Sequence, residues 1–397
     1  MAAAEGLVGG VDPHADTIHL AVLTAVGKAV GDAEFATTAQ GYEQAVAFLT
    51  SRGQVDRVGV EGAAGYGAGI SRALRAAGIA VVEVDRPSRA ARRRAGKSDR
   101  LDAYHAARSV LAERTSPVKD PAIDGLRALQ LARRSAVKAR TAAANQLSAI
   151  LVMAPDPVRA RFHELSTPRL VAALLRCRGS YPDPTSADVL TALKMLAARH
   201  RDLGRHIQTL TARIDQLASA ANPALRAAIG VGPEVAAQLL VTAGSNPDRL
   251  TGEASFAALC GVAPVPASSG KTRRHRLSRG GDRHANSALH RIALVRMSCH
   301  APTRAYVARQ RARGRSSKEI LRLLKRAIAR EVFTHLTNPK PVPDWHDLRP
   351  TRQAKNLTLT EAAQHFAVWP AAISRLERGL RRDDRLTTAY RAWLSAA

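Results

Sequence analysis

The sequence predicts an α/β N-terminal domain built on a mixed sheet, followed by mostly α-helical domains. Three observations carry this. The first 112 residues alternate β-branched apolar runs with segments of helical period. The first three strand signals follow one another with no helix between them, whereas the next two are separated by helices. From Pro117 to about Leu217 the pattern turns helical, rich in Ala, Leu and Arg. Three strands in a meander and then helix-separated strands describe a sheet of the RNase H type. A doubly wound parallel sheet would need a helix between each early pair.

Taken in order, Leu7–Val11, Thr17–Leu23 and Ala29–Phe35 read as the meander, the last two joined around Gly27-Lys28. A helix follows over Tyr42–Ser51, then the strand Val58–Glu61, a helix near Ala68–Ala77 and the strand Ala80–Val84. Ser98 is placed to cap a helix running to about Ala112. Leu126, Leu129, Ala132, Ala136, Ala139 and Ala143 then form one apolar stripe, and Leu203, Ile207, Leu210, Ile214 and Leu217 another. Tyr181-Pro182-Asp183-Pro184 breaks the run between them, and periodicity leaves open whether these helices pair within the chain or between subunits. Ala228–Ala236, with Gly230 and Gly232, reads equally as a helix-hairpin-helix turn facing a phosphate or as a plain helical corner. Ser316 and Glu319 form a capping box before the helix Ile320–Val332. Thr337–Pro343 has linker composition. In the last stretch, Thr360–Phe366 suits a first helix, Ala367–Pro370 a turn and Ala371–Gly379 a recognition helix. That pattern is similar to the helix-turn-helix of phage repressors, with a small protein-contact bundle as the alternative.

The chain has 33 acidic residues against 60 Lys plus Arg, a net charge of +27. Such an excess favours a polyanionic partner, because each neutralised phosphate releases condensed counterions. Between Lys271 and Arg330, 18 basic residues face only Asp282 and Glu319. A genomic preference for Arg explains Arg in place of Lys, but not that local ratio. Lys271, Arg273, Arg274, Arg276, Arg279 and Arg283, with Arg375 and Arg378 of the last segment, are the candidate nucleic-acid contacts. Cys177, Cys260 and Cys299 lack Cys-x-x-Cys spacing, which argues against a disulfide scaffold or a zinc site. The N-terminus has no signal-peptide pattern and no apolar run reaches membrane-helix length, so a cytoplasmic, bacterial and nucleoid-associated protein without membrane contact is expected.

Against this basic background four carboxylates stand out. Asp12 ends the run Leu7–Val11, and Glu61 ends Arg57–Val60. Asp99 and Asp102 lie three apart at the start of a helix. Rigid strand ends can fix a cation, and two acids one helical turn apart project side by side. Two Mg²⁺ ions serving phosphodiester chemistry need about this many carboxylates. Singly, each is as well read as a solvated acid, and Asp99 as support for the helix dipole. Gly65–Gly69 mimics a dinucleotide loop, but its spacing is unusual and Glu61 would repel a pyrophosphate. An actin-like phosphate loop is excluded by Pro13-His14-Ala15 after Asp12. Ser268-Ser269-Gly270 followed by Lys271, Arg273 and Arg274 presents hydroxyls beside guanidinium groups; alone, such a loop reads more readily as a phosphate-contacting turn than as a nucleophile.

Together, Gly10-Val11-Asp12, Val60-Glu61-Gly62, Lys97–Ala103 and the block Leu259–Arg283 resemble the DEDD insertion-sequence transposases, described as bridge-RNA-guided recombinases. These have a RuvC-like N-terminal domain and a serine-containing C-terminal transposase domain. The resemblance covers about residues 7–335. It implies a metal tetrad of Asp12, Glu61, Asp99 and Asp102, a nucleophile at Ser269 with Ser268 close behind, and a covalent 5′-phosphoserine intermediate. It further implies donor and target DNA, a structured guide RNA encoded by the element, and a homo-oligomer from dimer to synaptic tetramer. The expected domains are RuvC-like 1–116, helical connector 117–217, serine transposase 218–336, linker 337–356 and helix-turn-helix 357–397. That last module departs from many relatives. The competing readings are a metal-dependent junction resolvase that forms no protein–DNA bond, and a non-catalytic nucleic-acid-binding regulator.

Overall fold

A computed structural model describes residues 6–84, 98–119, 121–244, 250–266, 268, 270, 275–277, 280–342, 345, 347–379 and 383–396. The first unit is built on β1 (Leu7–Pro13), β2 (Thr17–Thr24), β3 (Ala29–Ala36), β4 (Val55–Glu61), β5 (Ala80–Val84) and β6 (Thr115–Pro117). Their order is β3-β2-β1-β4-β5-β6. The meander β1–β2–β3 is antiparallel, β4 and β5 run parallel to β1, and β6 returns antiparallel on β5. This is the RNase H-like sheet that the order of strand and helix signals predicts. The short edge strand β6 is an addition to it.

Alternation along β1 and β4 sends successive side chains to opposite faces. On one face Val11, Leu20 and Val60 pack with Leu49 of α1 (Ala39–Thr50) and with Ile70 and Leu74 of α2 (Ala68–Ala76). On the other, Val8, Ala21, Leu23 and Val84 pack with Ala103, Ala106, Ala107 and Val110 of α3 (Asp99–Leu111). Gly10 and Gly59 lie on that second face. A Cβ at Gly10 would fall 2.2 Å from the Ala103 carbonyl oxygen and 2.2 Å from the Ala107 nitrogen. One at Gly59 would fall 2.6 Å from Val110 Cγ2. The two glycines thus let the backbone of α3 rest directly on the central strands. Ser98 stands at the N-cap as expected, in extended conformation, and its carbonyl accepts from the Asp102 N–H at 3.0 Å, but its side chain makes no capping bond.

Among the described residues, the second unit is helical apart from one hairpin. Its long helices are α4 (Asp124–Met153) and α7 (Pro184–Ala221), with α5 (Asp156–Phe162) and α6 (Thr167–Arg176) between them. Arg133 Nε donates to Thr211 Oγ1 at 2.7 Å, and Arg140 Nε lies 3.2 Å from His200 Nε2. Rising numbers on α4 meet falling numbers on α7, so the helices pair antiparallel within the chain. Leu147, Leu151, Val158, Phe162, Leu174, Leu190 and Leu193 form a core at their connected end.

Then come α8 (Pro223–Ala227), α9 (Pro233–Ala243), α10 (Glu253–Leu259), the hairpin β7 (Pro264–Pro266) and β8 (His275–Leu277), α11 (Arg283–Cys299), α12 (Ala301–Ala312) and α13 (Ser317–Thr337). The turn between α8 and α9 has Gly230 at φ 83°, and α11 holds it through Arg296 Nε on the Ile229 carbonyl at 2.7 Å. Arg296 also makes a bidentate pair with Glu331 of α13 at 2.5 and 2.7 Å. The capping box of Ser316 and Glu319 forms as read.

The chain ends in α14 (Leu348–Ala354), α15 (Leu359–His365), α16 (Pro370–Glu377) and α17 (Asp384–Ala396). Leu348 of α14 packs with Ala362, Ile373, Leu376 and Tyr390, so the module's core draws on a residue within 337–356, the segment expected as linker, beyond the linker-like composition of Thr337–Pro343. Buried Arg352 of α14 pairs with buried Glu377 at 2.6 Å, and Tyr390 Oη donates to the same carboxylate at 2.7 Å. Among the described residues no helix is long and apolar enough to cross a membrane.

Candidate active site

The strand ends and α3 converge. Val11 of β1 pairs with Val60 of β4, so Asp12 and Glu61 close neighbouring parallel strands; they are 6% and 8% exposed. Each stands two residues beyond a glycine of the α3 face, and the close approach at Gly10 and Gly59 brings the first turn of α3, with Asp99 and Asp102, over the same strand ends. A second network fixes that turn. Arg100 Nε and Tyr104 Oη, both of α3, donate to Asp32 Oδ1 of β3 at 2.9 and 3.0 Å, and His19 Nε2 lies 2.9 Å from Asp32 Oδ2. Burial would raise the pKa of Asp32, but the hydrogen bonds from His19, Tyr104 and Arg100 hold it below the ordinary carboxylate value.

Asp12 behaves in the opposite way. Burial pushes its pKa up to about 6; His14 opposes the rise, while the charges of Glu61, Asp102 and Asp99 add to it. Its Oδ2 is buried and has no hydrogen-bond partner. His14 Nε2 lies 3.2 Å from that oxygen and 3.1 Å from Asp99 Oδ1. Although these are ion-pair distances, Nε2 also lacks a hydrogen bond of acceptable geometry. One ligand atom each from Asp12, His14 and Asp99 falls within 4.8 Å of the others. Glu61 and Asp102 lie outside this three-atom group, near enough to act on Asp12 through their charge.

Carboxylate oxygens with an imidazole nitrogen are donors for a divalent cation, and a buried, unpartnered oxygen among several negative charges is the arrangement a cation stabilises. The site therefore fits a divalent metal. His14 is the residue that sequence reasoning missed. Its signal was present, because two-residue spacing from Asp12 puts it on the same face of extended chain.

The other expected residues are placed as follows. Ser268 and Gly270 lie between the two strands of the β7–β8 hairpin and are exposed, with Gly270 at φ 53°. Ser269, Lys271, Arg273, Arg274 and Arg279 lie outside the described residues. Arg276 belongs to β8, Arg283 opens α11 on an exposed position, and Arg375 and Arg378 are exposed at the C-terminal end of α16 and just beyond it.

Fold and site together define an RNase H-like domain with a carboxylate centre, joined to a basic helical region. Residues 9–154 match a family model for DEDD transposases of the IS110 type, and residues 222–308 match the model of the transposase IS116/IS110/IS902 family. An uncharacterized 43.6 kDa protein of insertion element IS110 from Streptomyces coelicolor is 36% identical over 126 residues, which cover 31% of this chain and 31% of that relative. The chain belongs to the IS110 family of DEDD transposases.

Proposed function

We propose that this protein excises and inserts a mobile DNA element, using a divalent-metal centre of Asp12, Glu61, Asp99 and Asp102 and a serine nucleophile at Ser269, with Ser268 as the neighbouring candidate. The observation that carries the reading is the buried, unpartnered oxygen of Asp12 among three further carboxylates in a family of DEDD transposases. A pair of Mg²⁺ ions there would supply charge stabilisation for the attacking and leaving oxygens of a phosphodiester. The chain's own contribution is positional. β1 and β4 hold two carboxylates on rigid backbone, and α3, pinned through Arg100 and Tyr104 to Asp32, presents the other two.

The serine step is a transesterification. Ser269 Oγ bonds to phosphorus, the bond from phosphorus to the 3′ oxygen breaks, and the hydroxyl proton is balanced by the one gained at the departing 3′-hydroxyl. The product is a 5′-phosphoserine link that a second 3′-hydroxyl can reverse without energy input. The reading requires the serine and the carboxylates, from one subunit or from two, to act on one phosphodiester. The basic helices and the exposed Arg375 and Arg378 suit contact with donor and target DNA. Helices α15 and α16 would serve as a helix-turn-helix, a structured RNA as guide, and a homo-oligomer as the synaptic assembly.

Asp102→Ala and Ser269→Ala test this. Both should retain nucleic-acid binding and lose strand exchange, and only DNA cut by the wild type should carry protein on its 5′ end after denaturation. If Ser269→Ala still forms the adduct, the role passes to Ser268. Metal-dependent cutting by the wild type without any adduct would establish the junction-resolvase alternative, and no cutting at all the non-catalytic regulator.

A further inference from the structure

His14 is left unused by a four-carboxylate centre, yet its Nε2 lies within ion-pair distance of two of the four carboxylates. β1 ends at Pro13, whose ring fixes the backbone just before His14. The His14 N–H then donates to the Thr17 carbonyl at 2.8 Å, and Thr37 Oγ1 donates to the His14 carbonyl at 3.4 Å. The backbone is thus held on both sides, and the imidazole is presented from a tight turn.

Its Nε2 stands 3.2 Å from Asp12 Oδ2 and 3.1 Å from Asp99 Oδ1. Asp12 is more than nine-tenths buried, and neither its Oδ2 nor the His14 Nε2 has a hydrogen-bond partner. A protonated histidine serving only as counter-ion would aim its N–H along one of these short vectors, because an unmade bond at a buried donor is costly. Instead, three donor atoms converge within 4.8 Å without satisfying one another. That is the arrangement of ligands around a shared centre.

We infer that His14 is a metal ligand, binding a divalent cation through Nε2 alongside Asp12 and Asp99. The inference rests on the metal reading proposed above and deepens it. Its chemical consequence is selectivity. Mg²⁺ prefers an all-oxygen shell, whereas an imidazole nitrogen favours first-row transition ions, so the centre binds Mn²⁺ more tightly than Mg²⁺.

The test uses metal-stripped full-length protein titrated with Mn²⁺. Electron paramagnetic resonance counts the bound ion, and pulsed measurements report nitrogen coordinated to it. Wild type should bind Mn²⁺ with a directly coordinated nitrogen, and Asp12→Asn should remove that binding. His14→Ala should lose the nitrogen coupling and bind Mn²⁺ about tenfold or more weakly. Mg²⁺ affinity, read by competition, should fall less. His14→Asp, which restores an oxygen ligand, should recover much of the Mn²⁺ binding without the nitrogen signal, separating lost ligation from lost folding. Bound Mn²⁺ that depends on Asp12 but shows no nitrogen coupling in the wild type, or the same coupling in His14→Ala, overturns the assignment of His14 and leaves the carboxylate centre standing. Failure of the wild type to bind Mn²⁺ at all overturns both.

Discussion

Replacing Gly10 with Ala adds one methyl group where the central strand meets the backbone of the carboxylate-bearing helix. The new Cβ would sit 2.2 Å from both the Ala103 oxygen and the Ala107 nitrogen. Both are backbone atoms of α3, so neither can rotate away. Reaching ordinary contact, which begins at 3.4 Å, lifts the helix by about 1 Å, and overpacking of this kind costs about 1–3 kcal/mol. A shift of about 1 Å in reacting groups can cost about 100-fold in rate. Because the first turn of α3 carries Asp99 and Asp102, the helix cannot lift without moving them. Gly59→Ala should be milder, since its nearest obstacles at 2.6 and 2.9 Å are side-chain atoms of Val110 and Val84.

Hydrogen exchange read at β1 and α3 is the appropriate assay. All three tryptophans, Trp345, Trp369 and Trp393, lie in the C-terminal segment, where fluorescence would report a different module. Gly204→Ala supplies the control. That position is within α7 and a Cβ there meets nothing within 4 Å. The same chemical change should therefore stabilise its own helix by about 0.5–1 kcal/mol. Gly10→Ala with wild-type protection in α3 and wild-type strand exchange would refute the claim that helix contact positions the site.

Two further outcomes follow from charge. Burial alone would raise the pKa of Glu331, but the hydrogen bonds from Arg296 and His335 bring it down to about 2 from 4.5. A depressed pKa stabilises the fold above the unfolded value and is lost as pH falls from about 4.5 towards 2. With 41% of the Glu331 side chain exposed, solvent screening reduces this to about 1–2 kcal/mol. Glu331→Gln should thus be less stable than wild type at neutral pH and converge with it near pH 2, by denaturant unfolding; a gap that persists at low pH would assign the loss to packing. In nucleic-acid binding, the logarithm of affinity should fall against that of salt with a slope of about −0.9 per neutralised duplex phosphate, and a slope near zero would mean that the basic helices face something else.

Sequence and structure agree where a signal was local and repeated. β1, β2, β4 and β5 were legible as β-branched apolar stretches, β3 as the strand returning from the Gly27-Lys28 turn, and the mixed character of the sheet from the lack of helices in the meander and their presence after it. β6 was not, because three residues of Thr, Ser and Pro carry no alternation. Helix α14 was hidden for a different reason. Only Leu348 and the Arg352 stem face its core, and the partner that makes a buried arginine tolerable, Glu377, is 25 residues away. Pairing of α4 with α7 likewise depends on contacts such as Arg133 with Thr211, which no periodicity encodes.

The site shows the same division within one strand. Val8, Gly10, Asp12 and His14 occupy alternate positions, so extended backbone directs them to one side of the sheet. Val8 packs in the core beneath α3, Gly10 admits the helix backbone, Asp12 lies at the buried edge and His14 at the half-exposed rim. Reading only the end of the apolar run gives Asp12 and stops there. Reading the alternation gives a graded line from packing to chemistry. On β4 the corresponding face carries Gly59 and then Glu61, which makes the glycine two residues before each acid part of the site's construction. The candidate carboxylates of the two strand ends are therefore inseparable from the small residues behind them, because those residues decide how near the helix that brings Asp99 and Asp102 can come.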